Sequence, residues 1–120
     1  MAFSVERKDK FAIIHTQVEK LDSNVAPSLK SELVVLNADG VKNIIVDLAS
    51  TRYCDSSGLS AILVANRLCK NSHGTLVICA LQDNVSKLIA ISQLDSILNI
   101  APSVEEAVNV IFTEEVAKNN

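Results

Sequence analysis

The stretch Ile44–Ile45–Val46–Asp47–Leu48, followed shortly by Asp55–Ser56–Ser57–Gly58–Leu59, decides how the rest of the chain reads. The first run is almost continuously apolar, the pattern of a short strand covered on both faces. The second is a polar turn that opens an amphipathic helix. Leu59, Ile62, Leu63, Ala65 and Leu68 lie on its apolar side, and it ends near Asn71. A strand, a connection over residues 50–55 and a helix make the start of an α/β unit. They place two hydroxyls, Ser56 and Ser57, at a helix N-terminus, where backbone N–H groups point outward and the dipole favours negative charge. Such a position accommodates a phosphate, so a serine there can act as a switch with no catalytic group beside it.

Toward the N-terminus, Phe3–Arg7 and Phe11–Thr16 read as two strands of a hairpin joined by the charged turn Lys8–Asp9–Lys10. Leu21–Asp22–Ser23–Asn24 supplies helix-start residues, and Val25, Leu29, Leu33 and Leu36 recur at helical spacing. Pro27 suits the first turn, and Asp39–Gly40 ends that helix with a glycine fit for a left-handed cap. Toward the C-terminus, Ser72–His73–Gly74 closes the central helix and Thr75–Ala80 is another continuous apolar strand. Asp83–Asn84 is expected to cap a shorter helix carrying Val85, Leu88, Ile89 and Ile91. Ile97–Ile100 reads as a short final strand or an extended segment. Pro102–Ser103 starts a last helix with Val104, Ala107, Val108, Ile111 and Phe112 on one face, and fraying is expected over 118–120. The order β–β–α–β–α–β–α–(β)–α predicts one α/β domain over residues 1–120, with right-handed crossovers onto a mainly parallel sheet.

The bulk properties agree. The chain has 120 residues, the size of one domain, and its 48% hydrophobic content is ample for a core. With 3% aromatics and no Trp, that core must be aliphatic. A net charge of −3 and the lack of a basic stripe argue against nucleic-acid binding. No apolar run is long enough to span a membrane, and residues 1–6 lack the pattern of a signal peptide, so a cytoplasmic protein is expected. Cys54, Cys69 and Cys79 form neither a CxxC pair nor a zinc pattern and read as reduced, mostly buried thiols.

Together these features resemble the STAS domain (sulphate transporter and anti-sigma factor antagonist), of the free-standing bacterial antagonist kind. The resemblance is carried by the strand Ile44–Leu48 with Asp47 near its end and by the turn Asp55–Ser56–Ser57–Gly58–Leu59. Further along the chain it includes Leu94–Asp95–Ser96–Ile97–Leu98 and the closing Pro102–Ser103–Val104–Glu105–Glu106–Ala107. It implies a small mixed, mainly parallel sheet with about four helices packed mainly on one side. It also implies a binding module without enzymatic activity of its own. In that family the unphosphorylated antagonist binds an anti-sigma factor that is also a serine kinase, which releases the sigma factor. The kinase then phosphorylates the first serine of the turn, here Ser56, and a phosphatase restores binding. Arg52–Tyr53–Cys54 departs from the family, which carries more apolar residues before the turn; Tyr53 either anchors in the core or contacts the partner. Other members of the family serve stress-signalling assemblies or lipid-transport ABC complexes, so a subunit of a larger assembly is the alternative.

The residues themselves suit a switch. Asp55 can accept helix N–H bonds or a partner's donor, and its charge would add to that of a phosphate on Ser56. Ser57 is assigned to capping or shaping the turn. Gly58 allows either close approach of a partner backbone or an unusual backbone angle. Asp47, at a strand end, either orients the partner-facing surface, holds the turn, or is a solvated edge residue. Asp-Ser-Ser is also a common helix cap in its own right. No histidine stands near Cys54 in sequence to act as its base, so a packing thiol is expected, and His15 and His73 are isolated from any second metal ligand. The three glycines are not clustered into a phosphate loop, so no cofactor or metal is expected and ATP belongs to the partner.

Overall fold

A computed structural model describes residues 2–119 of the chain. The predicted hairpin forms from β1 (Phe3–Arg7) and β2 (Ala12–Thr16), which pair antiparallel. The apolar runs become β4 (Ile44–Asp47) and β6 (Leu76–Cys79), and β7 (Asn99–Ala101) closes the sheet. The strand order is β1-β2-β4-β6-β7, with every pairing after the hairpin parallel. Between these strands run α1 (Ala26–Ala38), α2 (Ser56–Asn71) and α3 (Asp83–Ile91), and α4 (Val104–Asn119) follows β7.

Period-two alternation assigns each strand residue to a face. Ile14, Ile44, Val46, Leu76 and Ile78 point to one side, where they meet Leu29, Leu33, Leu36, Ile62, Ala65, Val85 and Ile89 of the first three helices. Ile13, Ile45, Val77, Cys79 and Ala101 point to the other side, against Ala107 and Ile111 of α4. The strands advance in one direction across the sheet, so successive right-handed crossovers all return over the same face. Only α4, with no later strand to join, packs on the opposite side. Because the strand order never reverses, no switch-point crevice opens at the strand ends, where Asp47 stands.

Several local expectations need correcting. Two short strands, β3 (Lys20–Leu21) and β5 (Tyr53–Cys54), form a separate parallel pair within segments that read as connections. Two residues are too few to leave a period in the sequence. Val25 occupies the cap position of α1 without a side-chain bond, and the Asp22 carbonyl accepts from Val25 and Ala26 instead. Gln82, not Asp83–Asn84, precedes α3; Asp83 is already helical and supplies charge to the first turn. Ile91 is 81% exposed rather than on the buried face. A 3-10 turn at Leu94–Ser96 delays the last strand to Asn99. Phe112 is half-exposed and meets the Phe11 ring edge-on at 6.1 Å. Fraying is not seen at Lys118, whose ammonium donates to the His73 carbonyl and to Thr75 Oγ1; Asn120 lies outside the described residues.

Two polar arrangements hold the sheet at its opposite ends. At the start of β4, Asn43 is fully buried. Its Nδ2 donates to the Lys10 carbonyl at 3.0 Å and to Glu115 Oε1 at 2.7 Å, and its Oδ1 accepts from the Thr75 N–H at 2.8 Å. One side chain thereby joins the β1–β2 turn, the entry to β6 and α4. The Asn43 bond is the main reason the Glu115 carboxyl sits below its ordinary range. At the other end, His15 and Asp47 occupy paired positions of β2 and β4. His15 Nδ1 lies 2.7 Å from Asp47 Oδ2, and its Nε2 lies 2.7 Å from Glu6 Oε2 on β1. Two carboxylates facing both ring nitrogens favour the imidazolium. The Glu6 bond is the largest influence and raises the His15 pKa; burial opposes it, the Asp47 bond and the two carboxylate charges add to it, and His15 in turn lowers the pKa of Glu6.

Replacing Asn43 by Ala leaves the Thr75 N–H without its buried acceptor. A loss of about 2–4 kcal/mol is expected, read from urea unfolding midpoints. The His15 arrangement carries a pH signature. A raised His15 pKa contributes stability that is complete below the ordinary histidine value and is lost as pH rises through the folded value. A lowered Glu6 pKa contributes stability that is lost as pH falls through its folded value. As pH rises from the ordinary histidine value through the raised value of the folded state, the protein should therefore lose stability, and His15→Gln should flatten that slope. Parallel slopes for the two proteins in urea melts would refute the assignment.

Candidate functional site

The turn opening α2 is positioned by what precedes it. After β4 the chain crosses under the segment that follows β2, and buried Thr51 fixes the crossing. Its hydroxyl donates to the Val18 carbonyl at 2.9 Å and lies 3.0 Å from the Thr16 hydroxyl. The N–H groups of Arg52 and Tyr53 then donate to the Glu19 carbonyl, and that of Asp55 to the Leu21 carbonyl. These bonds build the β3–β5 pair, which aims the chain into the first turn of α2.

Asp55 takes the cap position with extended backbone, and its Oδ1 accepts from the N–H groups of Ser57 at 2.9 Å and Gly58 at 3.1 Å. That satisfies two of the donors a helix N-terminus leaves open. Capping therefore belongs to Asp55. Ser57, half-buried, contributes its N–H and not its hydroxyl. Ser56 is the first helical residue and is exposed; among the described residues its hydroxyl has no protein partner. Gly58 is buried, and a Cβ there would meet the Leu21 carbonyl oxygen and lie 2.6 Å from Cys54 Sγ. The close approach it permits is to β3 of its own chain, and its φ is ordinary, so neither a partner backbone nor an unusual angle explains it.

Asp47 is not brought to this turn by any hydrogen bond among the described residues. Its Oδ2 faces His15 and its Oδ1 accepts the Ala49 N–H at 3.0 Å, so it shapes the exit from β4. The connection to His15 was legible in principle. Ala12–Ile13–Ile14–His15 and Ile44–Ile45–Val46–Asp47 are matching apolar runs, each ending in a polar residue, and parallel register sets those ends side by side.

Two shallow clefts flank the turn. One, of about 360 Å³, is bounded by the first turns of α1 and α2 and lined by Ser23, Pro27, Lys30, Ser56, Ser57 and Ser60. Of these, Ser23, Pro27 and Lys30 are brought beside the turn only by the packing of the α1 region against α2. The other, of about 220 Å³, is lined by Lys20, Leu21, Asp22, Tyr53, Cys54 and Asp55. Tyr53 is 42% exposed and does not anchor in the core; its ring lies beneath the Arg52 guanidinium, 5.7 Å away. The Cys54 thiol is pushed up to about 11, chiefly by burial and further by the Asp55 charge, so it is protonated at neutral pH and unsuited to nucleophilic attack. Cys69 and Cys79 are pushed up to about 12, mainly by burial. The site is thus an exposed hydroxyl on a capped helix end, flanked by small polar clefts.

Comparison with known proteins matches this architecture. Residues 2–107 fit the family model described as STAS domain. The chain is 31% identical over 87 residues to BtrV of Bordetella bronchiseptica, provisionally named an anti-sigma factor antagonist, covering 72% of this chain and 75% of that one. It is 26% identical over 98 residues to the anti-sigma-B factor antagonist of Staphylococcus aureus, covering 82% and 90%. Among solved structures it superposes on a provisionally assigned anti-sigma factor antagonist from Thermotoga maritima with a TM-score of 0.81 and 20% identity, over 91% of this chain and 93% of that one. It superposes on the phosphorylated form of Bacillus SpoIIAA with a TM-score of 0.72 and 21% identity, over 92% and 99%. The strand, the capped turn and α2 lie within the matched residues, and the chain belongs to the STAS domain family.

Proposed function

We propose that this chain is an anti-sigma factor antagonist, a binding module gated by phosphorylation of Ser56. Unmodified, it binds an anti-sigma factor serine kinase through the surface around the α2 N-terminus. Phosphorylated, it is released, and a phosphatase resets it. The kinase supplies ATP, the chain needs no cofactor, and the encounter takes place in the cytoplasm. Among the described residues no helix is long and apolar enough to cross a membrane. The names carried by the Bordetella and Staphylococcus relatives support the antagonist role, and the phosphorylated SpoIIAA fold supports the kind of control.

The observation that carries the reading is the division of labour at the turn. Asp55 caps the helix while the Ser56 hydroxyl stands exposed and unengaged. A phosphate adds about 1.5 to 2 negative charges. On Ser56 it breaks no bond of the cap and sits where the helix dipole tolerates it, so the fold survives. A partner packed over the same turn would have to desolvate the new charge beside Asp55. The switch acts on association and leaves folding intact.

Ser56→Asp is expected to change unfolding free energy by less than about 0.5 kcal/mol. It should weaken binding to the host's kinase-type anti-sigma factor at least about tenfold, or roughly 1.4 kcal/mol, in calorimetric titration, while Ser56→Ala binds as wild type. Equal affinity for all three proteins would overturn gating. The intact mass of protein recovered from its native host, with and without phosphatase treatment, should show one removable phosphate that maps to Ser56. Protein that stays unmodified through growth and stress, and co-purifies constantly with an ATPase subunit, would instead identify a fixed subunit of a larger assembly.

A further inference from the structure

The cleft between α1 and α2 lies directly beside the Ser56 hydroxyl. Two helix N-termini converge there, those of α1 at Ala26 and α2 at Ser56. Pro27 and Lys30 are three residues apart on α1, and Ser57 and Ser60 are three apart on α2, so each pair projects from one helix face into the same space. Lys30 is the one charged residue lining it. Among the described residues Lys30 is one of several cations, with Lys8, Lys10, Lys20, Arg67, Lys70 and Lys87, that have neither a carboxylate nor a side-chain hydrogen-bond partner, and it is the one of these that lines this cleft. The nearby carboxylates Asp22 and Asp55 line the neighbouring cleft, and both already accept backbone N–H groups. A lysine close to the start of a helix opposes the dipole there and so gains nothing from α1 itself. An unpaired cation at two positive helix ends, in a chain of net charge −3, suits an anion.

We infer that Lys30 receives the phosphate once Ser56 is modified, so that the phosphoserine bridges α1 and α2 across this cleft. The inference rests on Ser56 being the modified residue. The cavity of about 360 Å³ has room for a phosphate and several waters. Ser60 and Ser23 offer hydroxyl donors to oxygens that the ammonium leaves free. Modification then rebuilds the face between the two helices, filling a depression as well as adding charge. Lys30 acts here as a positioning residue for the phosphate.

The test uses the full chain with phosphoserine placed at position 56 during synthesis, so no kinase is required. The second ionisation of that phosphate is followed by 31P NMR against pH. A free phosphoserine titrates near about pH 6. Pairing with an ammonium lowers that value, so Lys30→Met should raise it by about 0.5 unit, the size of an exposed ion pair, and Lys30→Arg should restore it. Ser60→Ala should move it in the same direction by less. The helix dipole, Asp22 and Asp55 act alike in every variant, so the difference isolates Lys30. Identical titrations for the parent and Lys30→Met, both folded by circular dichroism, overturn the bridge while leaving gating at Ser56 untouched. Failure of Ser56 gating in the binding titrations, with the Lys30 shift present, would remove the function and keep the contact.

Discussion

Strand β4 is paired on both edges and covered on both faces. Its neighbours β2 and β6 run parallel to it, and Ile44, Ile45 and Val46 are almost wholly removed from water. This constraint orders the rest. Parallel neighbours require crossovers, crossovers of one hand in a sheet that grows one way require helices on one face, and each crossover helix then begins at the end where the strands finish. The α2 N-terminus is at that end because β4 is central. The Ser56 turn is accordingly a helix end flanked by shallow clefts, since no reversal of strand order opens a switch-point crevice.

The direction of the helices also sorts the charge. Asp55, Asp83, Glu105 and Glu106 stand at or in the first turns of α2, α3 and α4, while Lys70 and Lys118 stand in the last turns of α2 and α4. Each complements the dipole of its own helix. The pole carrying Ser56 is therefore rich in carboxylates, and the Ser56 hydroxyl is a neutral group among them. Lys30, the fifth residue of α1, and Lys87, the fifth of α3, both stand outside this sorting, and Lys30 is the one that shares a cleft with Ser56.

Precision at the turn comes from the smallest elements. The β3–β5 pair has only two residues per strand, yet it holds Asp55 against Leu21 and brings α2 so near that residue 58 must lack a side chain. Thr51 and Thr16 join this pair to the end of β4 through buried hydroxyls. The turn is thus backed by a fully hydrogen-bonded frame, and one new group on its exposed side changes the surface without loosening the support. His15, Glu6 and Asp47 form a second polar frame on the neighbouring strands, tying the hairpin to the central sheet.

The amino-acid sequence by itself determined the α/β class, the long helices, the central strands and the exposed helix-start serine, because these depend on local periodicity and on residues adjacent along the chain. Ile44–Leu48 and Asp55–Leu59 carry that information within a few residues. Tertiary structure alone decided the opposite placement of α4, the β3–β5 pair, the hub at Asn43 and the placing of Lys30 and Ser56 on one cleft. Gly58 shows the difference well. Its identity is visible in the sequence, but its reason is a carbonyl 37 residues earlier that packing brings against it. Contacts between residues far apart in the chain leave no period to read, and they exist only once the sheet has set its register and the helices have found their face.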